Sequence, residues 1–168
     1  MVRITSDAEG NVLIGLLEIE KGRQAEKEGV SCLLKEMLGY EPLIQHNTDG
    51  KPFLKDYNIS ISHTIGYVVV ILSRKYQVGI DIEYVSERIN RITSRFLRDD
   101  ELFHNTRDLL LIWCAKETAY KLFSSEHLAF KEIKVNPYTR LVSNLRRNIT
   151  IKFKCECTTG YVLTYCWY

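Results

Sequence analysis

Three carboxylates and two lysines, in two clusters about thirty residues apart, could carry chemistry in this chain. The first cluster is Val78-Gly79-Ile80-Asp81-Ile82-Glu83; the second is Trp113-Cys114-Ala115-Lys116-Glu117-Thr118-Ala119-Tyr120-Lys121. Carboxylate oxygens suit a hard divalent cation such as Mg²⁺, and a lysine ammonium suits a phosphate. Together they form an inventory for a cation and a polyphosphate. Each cluster also has a plainer explanation: a solvated strand face for the first, and an exposed i,i+4 salt bridge for the second.

Both clusters must be positioned by regular structure. Residues 78–83 alternate, so Val78, Ile80 and Ile82 share one face of a strand, while Gly79, Asp81 and Glu83 share the other. Two carboxylates one pleat apart repel each other unless a cation stands between them. Gly79 leaves room for something bulky to approach the backbone. Residues 108–123 contain no Pro or Gly and are apolar nearly all round, the mark of an interior helix. On it Glu117 and Lys121 share an arc with Leu110, Trp113 and Tyr120, and Lys116 falls at the edge of that arc.

Earlier and later motifs then fall into an order. Gly50-Lys51-Pro52 is followed by Ser60-Ile61-Ser62-His63-Thr64, by Gly79-Ile80-Asp81-Ile82-Glu83, by Arg95-Phe96-Leu97 with Glu101, and by Trp113 through Glu117 with Lys121. This order resembles the 4′-phosphopantetheinyl transferases of the surfactin-synthetase-activating type, over about residues 50–135. The resemblance implies Mg²⁺-dependent transfer of the 4′-phosphopantetheine arm of coenzyme A to a serine of an apo acyl or peptidyl carrier protein, with release of 3′,5′-ADP. Position by position, Asp81, Glu83 and Glu117 match the metal carboxylates. Glu117 also matches the residue that accepts the serine proton, directly or through a metal-bound water, so it can be base, ligand or both, and Lys121 matches the pyrophosphate contact. Ser62 and His63 match phosphate contacts, and Lys51 and Pro52 the segment beside the adenine. The segment before Gly50 is compressed relative to the family, so the basic residues that hold the 3′-phosphate there reduce to Arg23. After Lys121 the family's Gly-x-Gly is replaced by Leu122-Phe123-Ser124-Ser125. A catalytically silent homologue that binds coenzyme A or a carrier protein is the alternative. A plain Mg²⁺-dependent nucleotide hydrolase is a third reading, disfavoured because the chain has no G-x-x-x-x-G-K-[ST] loop.

The net charge of +2 is too small to argue for nucleic acid, and no apolar run of about 18 residues or more suggests a transmembrane helix, so neither a nucleic-acid nor a membrane partner is expected. The five cysteines form no C-x-x-C pair, which fits a reducing cytoplasm. Arg88, Arg91, Arg95 and Arg98 are spaced for one helix stripe, either solvated or a dock for an acidic helix. His46, His104 and His127 read as surface residues.

The class expected is α+β: one domain over 1–168, pseudo-duplicated as about 1–76 and 77–168, each half a helix packed on a small, mainly antiparallel sheet. That arrangement favours a monomer. Strands are expected at 12–19, 59–62, 67–72, 78–83, 149–157 and 161–168, and helices at 24–38 and 108–123. The segments 67–72 and 78–83 read as a hairpin, and 149–168 as another.

Overall fold

A computed structural model describes residues 1–168. In chain order the strands and helices are β1 (Val2–Asp7), β2 (Val12–Glu18), α1 (Arg23–Leu38), β3 (Gln45–His46), β4 (Pro52–Phe53), β5 (Asn58–Thr64), β6 (Tyr67–Ser73), β7 (Val78–Tyr84), α2 (Thr93–Phe96), α3 (Thr106–Leu122), β8 (Ile133–Asn136), β9 (Leu141–Asn144), β10 (Ile149–Lys152), β11 (Lys154–Cys157) and β12 (Tyr161–Trp167). The class is α+β, as expected, and the arrangement is compatible with the 4′-phosphopantetheinyl transferase fold.

A first antiparallel sheet has the order β1-β2-β6-β5. Strand β6 is central and buried on both faces, which explains its unbroken apolar run. Val68, Val70 and Leu72 pack on Leu33 and Leu34 of α1, whereas Val69 and Ile71 face Val78, Ile80 and Ile82 of β7. Helix α1 ends where Gly39 takes the left-handed conformation, with φ 77°, and donates its N–H to Lys35 O. Gly29, within α1, is buried where the helix packs so closely on its neighbours that a Cβ there would lie 2.8 Å from the side chain of Ile19.

A second sheet has the order β11-β12-β7, with Asp81 opposite Thr164. The hairpin expected between 67–72 and 78–83 does not form. Both edges of β6 are already taken, by β2 and β5, so the chain crosses into the second sheet and β7 pairs with β12. Side chains bridge β5 to β7 instead. Ser60 Oγ accepts from Ile80 N at 3.2 Å, Thr64 Oγ1 accepts from Tyr84 N at 3.1 Å, and Ser62 Oγ donates to Asp81 Oδ1 at 2.7 Å. The backbone partners are 20 residues apart in both cases, so these two strands run parallel.

The other face of β7 packs on α3, with no solvent between them. A Cβ on Gly79 would come within 2.2 Å of Thr118 O, so what approaches the glycine is the helix backbone. Asn105 caps α3 by accepting from Asp108 N at 2.8 Å. Around α3 lies the largest apolar cluster, which includes Phe96, Leu109, Ile112, Ala115, Ala119, Ile133 and Phe153.

Two other expectations need correction, and one strand went unread. The strand read over 149–157 breaks at Phe153, whose fully buried ring anchors the core; β10 then pairs with β9, and only β11 pairs with β12. The N-terminal segment forms β1, which alternation alone did not reveal. The arginines form no single stripe: Arg88 and Arg91 lie on a 3₁₀ turn, Arg95 on the four-residue α2, and Arg98 in a loop, paired with Asp100 at 2.8 Å. All five cysteines are free. No helix is long and apolar enough to cross a membrane.

Candidate active site

The contact between β7 and α3 brings the two charged clusters together. Asp81 is 3% exposed. Its Oδ1 accepts from Lys121 Nζ at 2.7 Å and from Ser62 Oγ at 2.7 Å. Its Oδ2 is buried with no hydrogen-bond partner. A buried carboxylate oxygen without a donor is costly to maintain and invites a cation. Lys121 also donates to Ile80 O at 3.2 Å, which holds its ammonium at the mouth of the site.

Glu83 lies one pleat further along β7, and its Oε1 accepts from Trp113 Nε1 at 2.9 Å. Burial and the negative charge of Asp81 push its carboxyl up. Glu117 extends from α3 into the same region. Burial, then Asp81 and Glu83, raise its carboxyl to about 7, although Lys121 opposes them. A carboxyl that titrates near neutrality can take up a proton at working pH. The carboxylates are electrostatic neighbours, but no group of three or more acidic, His or Cys side chains is drawn together closely enough to hold a metal ion by itself. Lys121 and Trp113 occupy one oxygen each of Asp81 and Glu83, and Asp81 Oδ2 is left over. Carboxylate oxygens of this kind are the donor type that a hard divalent cation takes, and Asp81 Oδ2 is a buried oxygen still free for it.

Beneath the site, a polar layer fixes the strand to the helix. Cys114 Sγ contacts Asp81 O at 3.2 Å, and Thr118 Oγ1 lies 2.6 Å from Thr164 Oγ1. Lys116 does not sit at the edge of the Glu117 arc, as spacing suggested. It is fully buried and donates to Glu101 Oε2 at 2.6 Å, Phe96 O at 2.8 Å and Phe130 O at 3.2 Å. Glu101 Oε1 in turn accepts from Val135 N at 2.8 Å.

Two clefts flank this arrangement. One, of about 240 Å³, is lined by Gly50, Lys51 and Pro52 together with Ile61, Tyr120 and Lys121. Neither Asp81 nor Glu117 lines it. The other, of about 220 Å³, is lined by Glu83, Trp113, Arg88, Ile89 and Leu110. Burial lowers the affinity of the Lys51 ammonium for its proton.

The remaining sequence candidates lie elsewhere. Ser62 is 7% exposed, with its hydroxyl given to Asp81. His63 is exposed, its Nδ1 3.4 Å from Glu26 Oε2. Arg23 is exposed at the start of α1 and lines neither cleft. Sequence reasoning did not find the indole donor of Trp113 or the place of Arg88 beside Glu83. Nor did it find that His127 lines the first cleft. Trp113 could have been found from its presence among charges on one arc; the other two lie on irregular turns, where spacing says little.

No curated protein matches this chain. A family model described as the 4′-phosphopantetheinyl transferase superfamily matches residues 77–166, the stretch that carries β7, α3 and β12. That is more than half of the 168 residues, and the chain belongs to the 4′-phosphopantetheinyl transferase superfamily.

Proposed function

We propose that this protein transfers the 4′-phosphopantetheine arm of coenzyme A to a serine hydroxyl of an apo acyl or peptidyl carrier protein. The observation that carries the reading is the meeting of Asp81, Glu83, Glu117 and Lys121 between β7 and α3, with Asp81 Oδ2 unpartnered, beside a cleft lined by Gly50, Lys51 and Pro52. Family membership fits it.

In this reading Lys51 and Pro52 border the nucleotide. Lys121, at the cleft mouth, pairs with the pyrophosphate. Asp81, Glu83 and Glu117 would hold Mg²⁺, which when bound offsets the charge of the phosphates and of the departing 3′,5′-ADP. The serine oxygen forms a bond to the phosphorus that carries the pantetheine arm. The bond from that phosphorus to the adenosine bisphosphate oxygen breaks, and Glu117 takes the serine proton. Trp113 keeps Glu83 oriented through its indole N–H. The protein's task is then placement and charge neutralisation, which suits phosphoryl transfer.

The test is to incubate the protein with Mg²⁺, coenzyme A and an apo carrier protein, and to weigh the carrier by intact mass spectrometry. The expected result is a carrier heavier by one phosphopantetheine arm, lost when the carrier serine is replaced by alanine. Binding of coenzyme A with no mass gain would point instead to a silent homologue.

A further inference from the structure

The acidic strand β7 has one hydrogen-bonding neighbour in its own sheet, β12. Its other edge lies along β5, which ends the first sheet and pairs only with β6. No backbone ladder joins β5 to β7. Left bare, the N–H groups on that edge of a buried strand would have no acceptor, which is costly.

Three hydroxyls close the gap. Ser60, Ser62 and Thr64 alternate along β5, so they share the face toward β7, and all three are buried. The outer two serve the main chain of β7: Ser60 Oγ accepts from Ile80 N at 3.2 Å and Thr64 Oγ1 from Tyr84 N at 3.1 Å. The middle one donates to Asp81 Oδ1 at 2.7 Å. The two main-chain bonds bracket the acidic pair, one just before Asp81 and one just after Glu83. They lie four residues apart on each strand and together admit a single register. A slip by one residue would turn Asp81 and Glu83 from α3 toward Val69 and Ile71. Side-chain length matters as well. An alanine would leave the N–H bare, and a longer side chain would push β7 away from β5.

We propose that Ser60 and Thr64 are positioning residues, whose hydroxyls lock β7 on β5 so that the Asp81 and Glu83 carboxylates stand on the α3 side with Glu117 before a cation arrives. The inference rests on the proposed function, which gives those carboxylates the cation. Two like charges one pleat apart repel, so bonds from outside the pair must hold them together. Groups that orient metal ligands in this way commonly carry tenfold or more of the metal affinity. Thr64 is the cleaner of the two to test. It lines neither cleft, whereas Ser60 reaches the first, so an effect of Thr64 on the metal has to pass through β7.

The test compares the wild type with Thr64→Val, Thr64→Ser, Thr64→Cys and Ser73→Ala. Mn²⁺ standing in for Mg²⁺ is titrated in the presence of coenzyme A and followed by the paramagnetic resonance of the free ion. Coenzyme A binding without metal is measured by calorimetry. Thr64→Val keeps the shape and removes the acceptor; it should bind Mn²⁺ about tenfold more weakly and coenzyme A alone about as well as the wild type. Thr64→Ser restores the hydroxyl and should restore Mn²⁺ binding. Thr64→Cys, a weaker acceptor, should fall between, and it carries the test if Thr64→Val does not fold. Ser73 is also buried and accepts from Lys75 N and Tyr76 N, at the far end of β6. Ser73→Ala should therefore melt lower but hold Mn²⁺ as the wild type does. Wild-type Mn²⁺ affinity in both Thr64→Val and Thr64→Cys, no recovery in Thr64→Ser, or equal weakening in Ser73→Ala would overturn the inference and leave the proposed function standing. A wild type that binds no Mn²⁺ with coenzyme A would overturn the proposed metal site and this inference with it.

Discussion

Helix α3 carries two lysines five positions apart, each meeting a carboxylate, and the two pairs differ in what is left over. Lys116 and Glu101 are 0% and 1% exposed, and every donor and acceptor of the pair has work within the protein. The side chains of Lys121 and Asp81 are 26% and 5% exposed, and one oxygen of Asp81 has no partner at all. The first pair is complete and binds Phe96, Phe130 and Val135 into one core. The second stops one ligand short beside a cleft. A satisfied buried ion pair ties its elements together and is costly to break, whereas an unsatisfied one points to something that is meant to arrive.

The comparison can be broken most violently at Lys116. Lys116→Ala leaves Glu101 charged and buried without its ammonium, a loss of about 3–5 kcal/mol. Denaturant titration should show it, with a melting temperature lower by roughly 10 °C. A change below about 1 kcal/mol would mean that the pair is not structural. Asp81→Asn should do the reverse. It keeps the shape and the contact with Ser62, so stability should move by no more than about 1 kcal/mol. Transfer should fall by roughly a hundredfold or more, because a charge aimed at the reacting groups is gone. Turnover near that of the wild type would remove Asp81 from the site.

Glu117 sharpens the contrast through pH. Its carboxyl titrates near 7 in the folded chain, above the ordinary 4.5, so the fold favours its neutral form. That contribution is fully present below about pH 4.5 and is lost as pH rises through about 7. Allowing for partial solvent access, the loss is on the order of 2 kcal/mol. Without metal, the stability of the wild type relative to Glu117→Gln should therefore decline from pH 5 to pH 8; a constant difference would contradict the assigned environment. Lys121→Ala should be milder than Asp81→Asn. KM for coenzyme A should rise about tenfold, the value of one charged contact, with a small change in stability. If Lys116→Ala raised that KM more than Lys121→Ala does, the two lysines would have to exchange roles.

Much of this was legible in the sequence. The alternation of residues 78–83 located β7, and the absence of Pro and Gly over 108–123 located α3, because both patterns are local consequences of pleat and helix period. Bringing Asp81, Glu83, Glu117 and Lys121 to one place followed from the resemblance, and the contact of Gly79 with Thr118 O is its physical cause. What was not legible was non-local. Residues 67–72 and 78–83 look like a hairpin, and only the capture of both β6 edges by β2 and β5 sends β7 to the other sheet. Helical spacing put Lys116 near Glu117, but the partner that draws it inward, Glu101, lies in an irregular loop. His127 had no periodic context, and its place in the lining of the first cleft depends on how Glu126 is pinned from β9 and the turn that follows it.

The central claim is that Asp81, Glu83, Glu117 and Lys121 form one site for a metal and a pyrophosphate. Thermal melts with neither ligand, Mg²⁺ alone, coenzyme A alone and both test it directly. Mg²⁺ keeps its waters and binds carboxylates weakly, and coenzyme A alone must bring its pyrophosphate toward three acidic groups, so each ligand relieves the other. The account predicts joint stabilisation greater than the sum of the parts by about 1.4 kcal/mol for every tenfold of coupling, and its loss in the double variant Asp81→Asn, Glu117→Gln. Strictly additive shifts, or coupling that survives in that double variant, would contradict it.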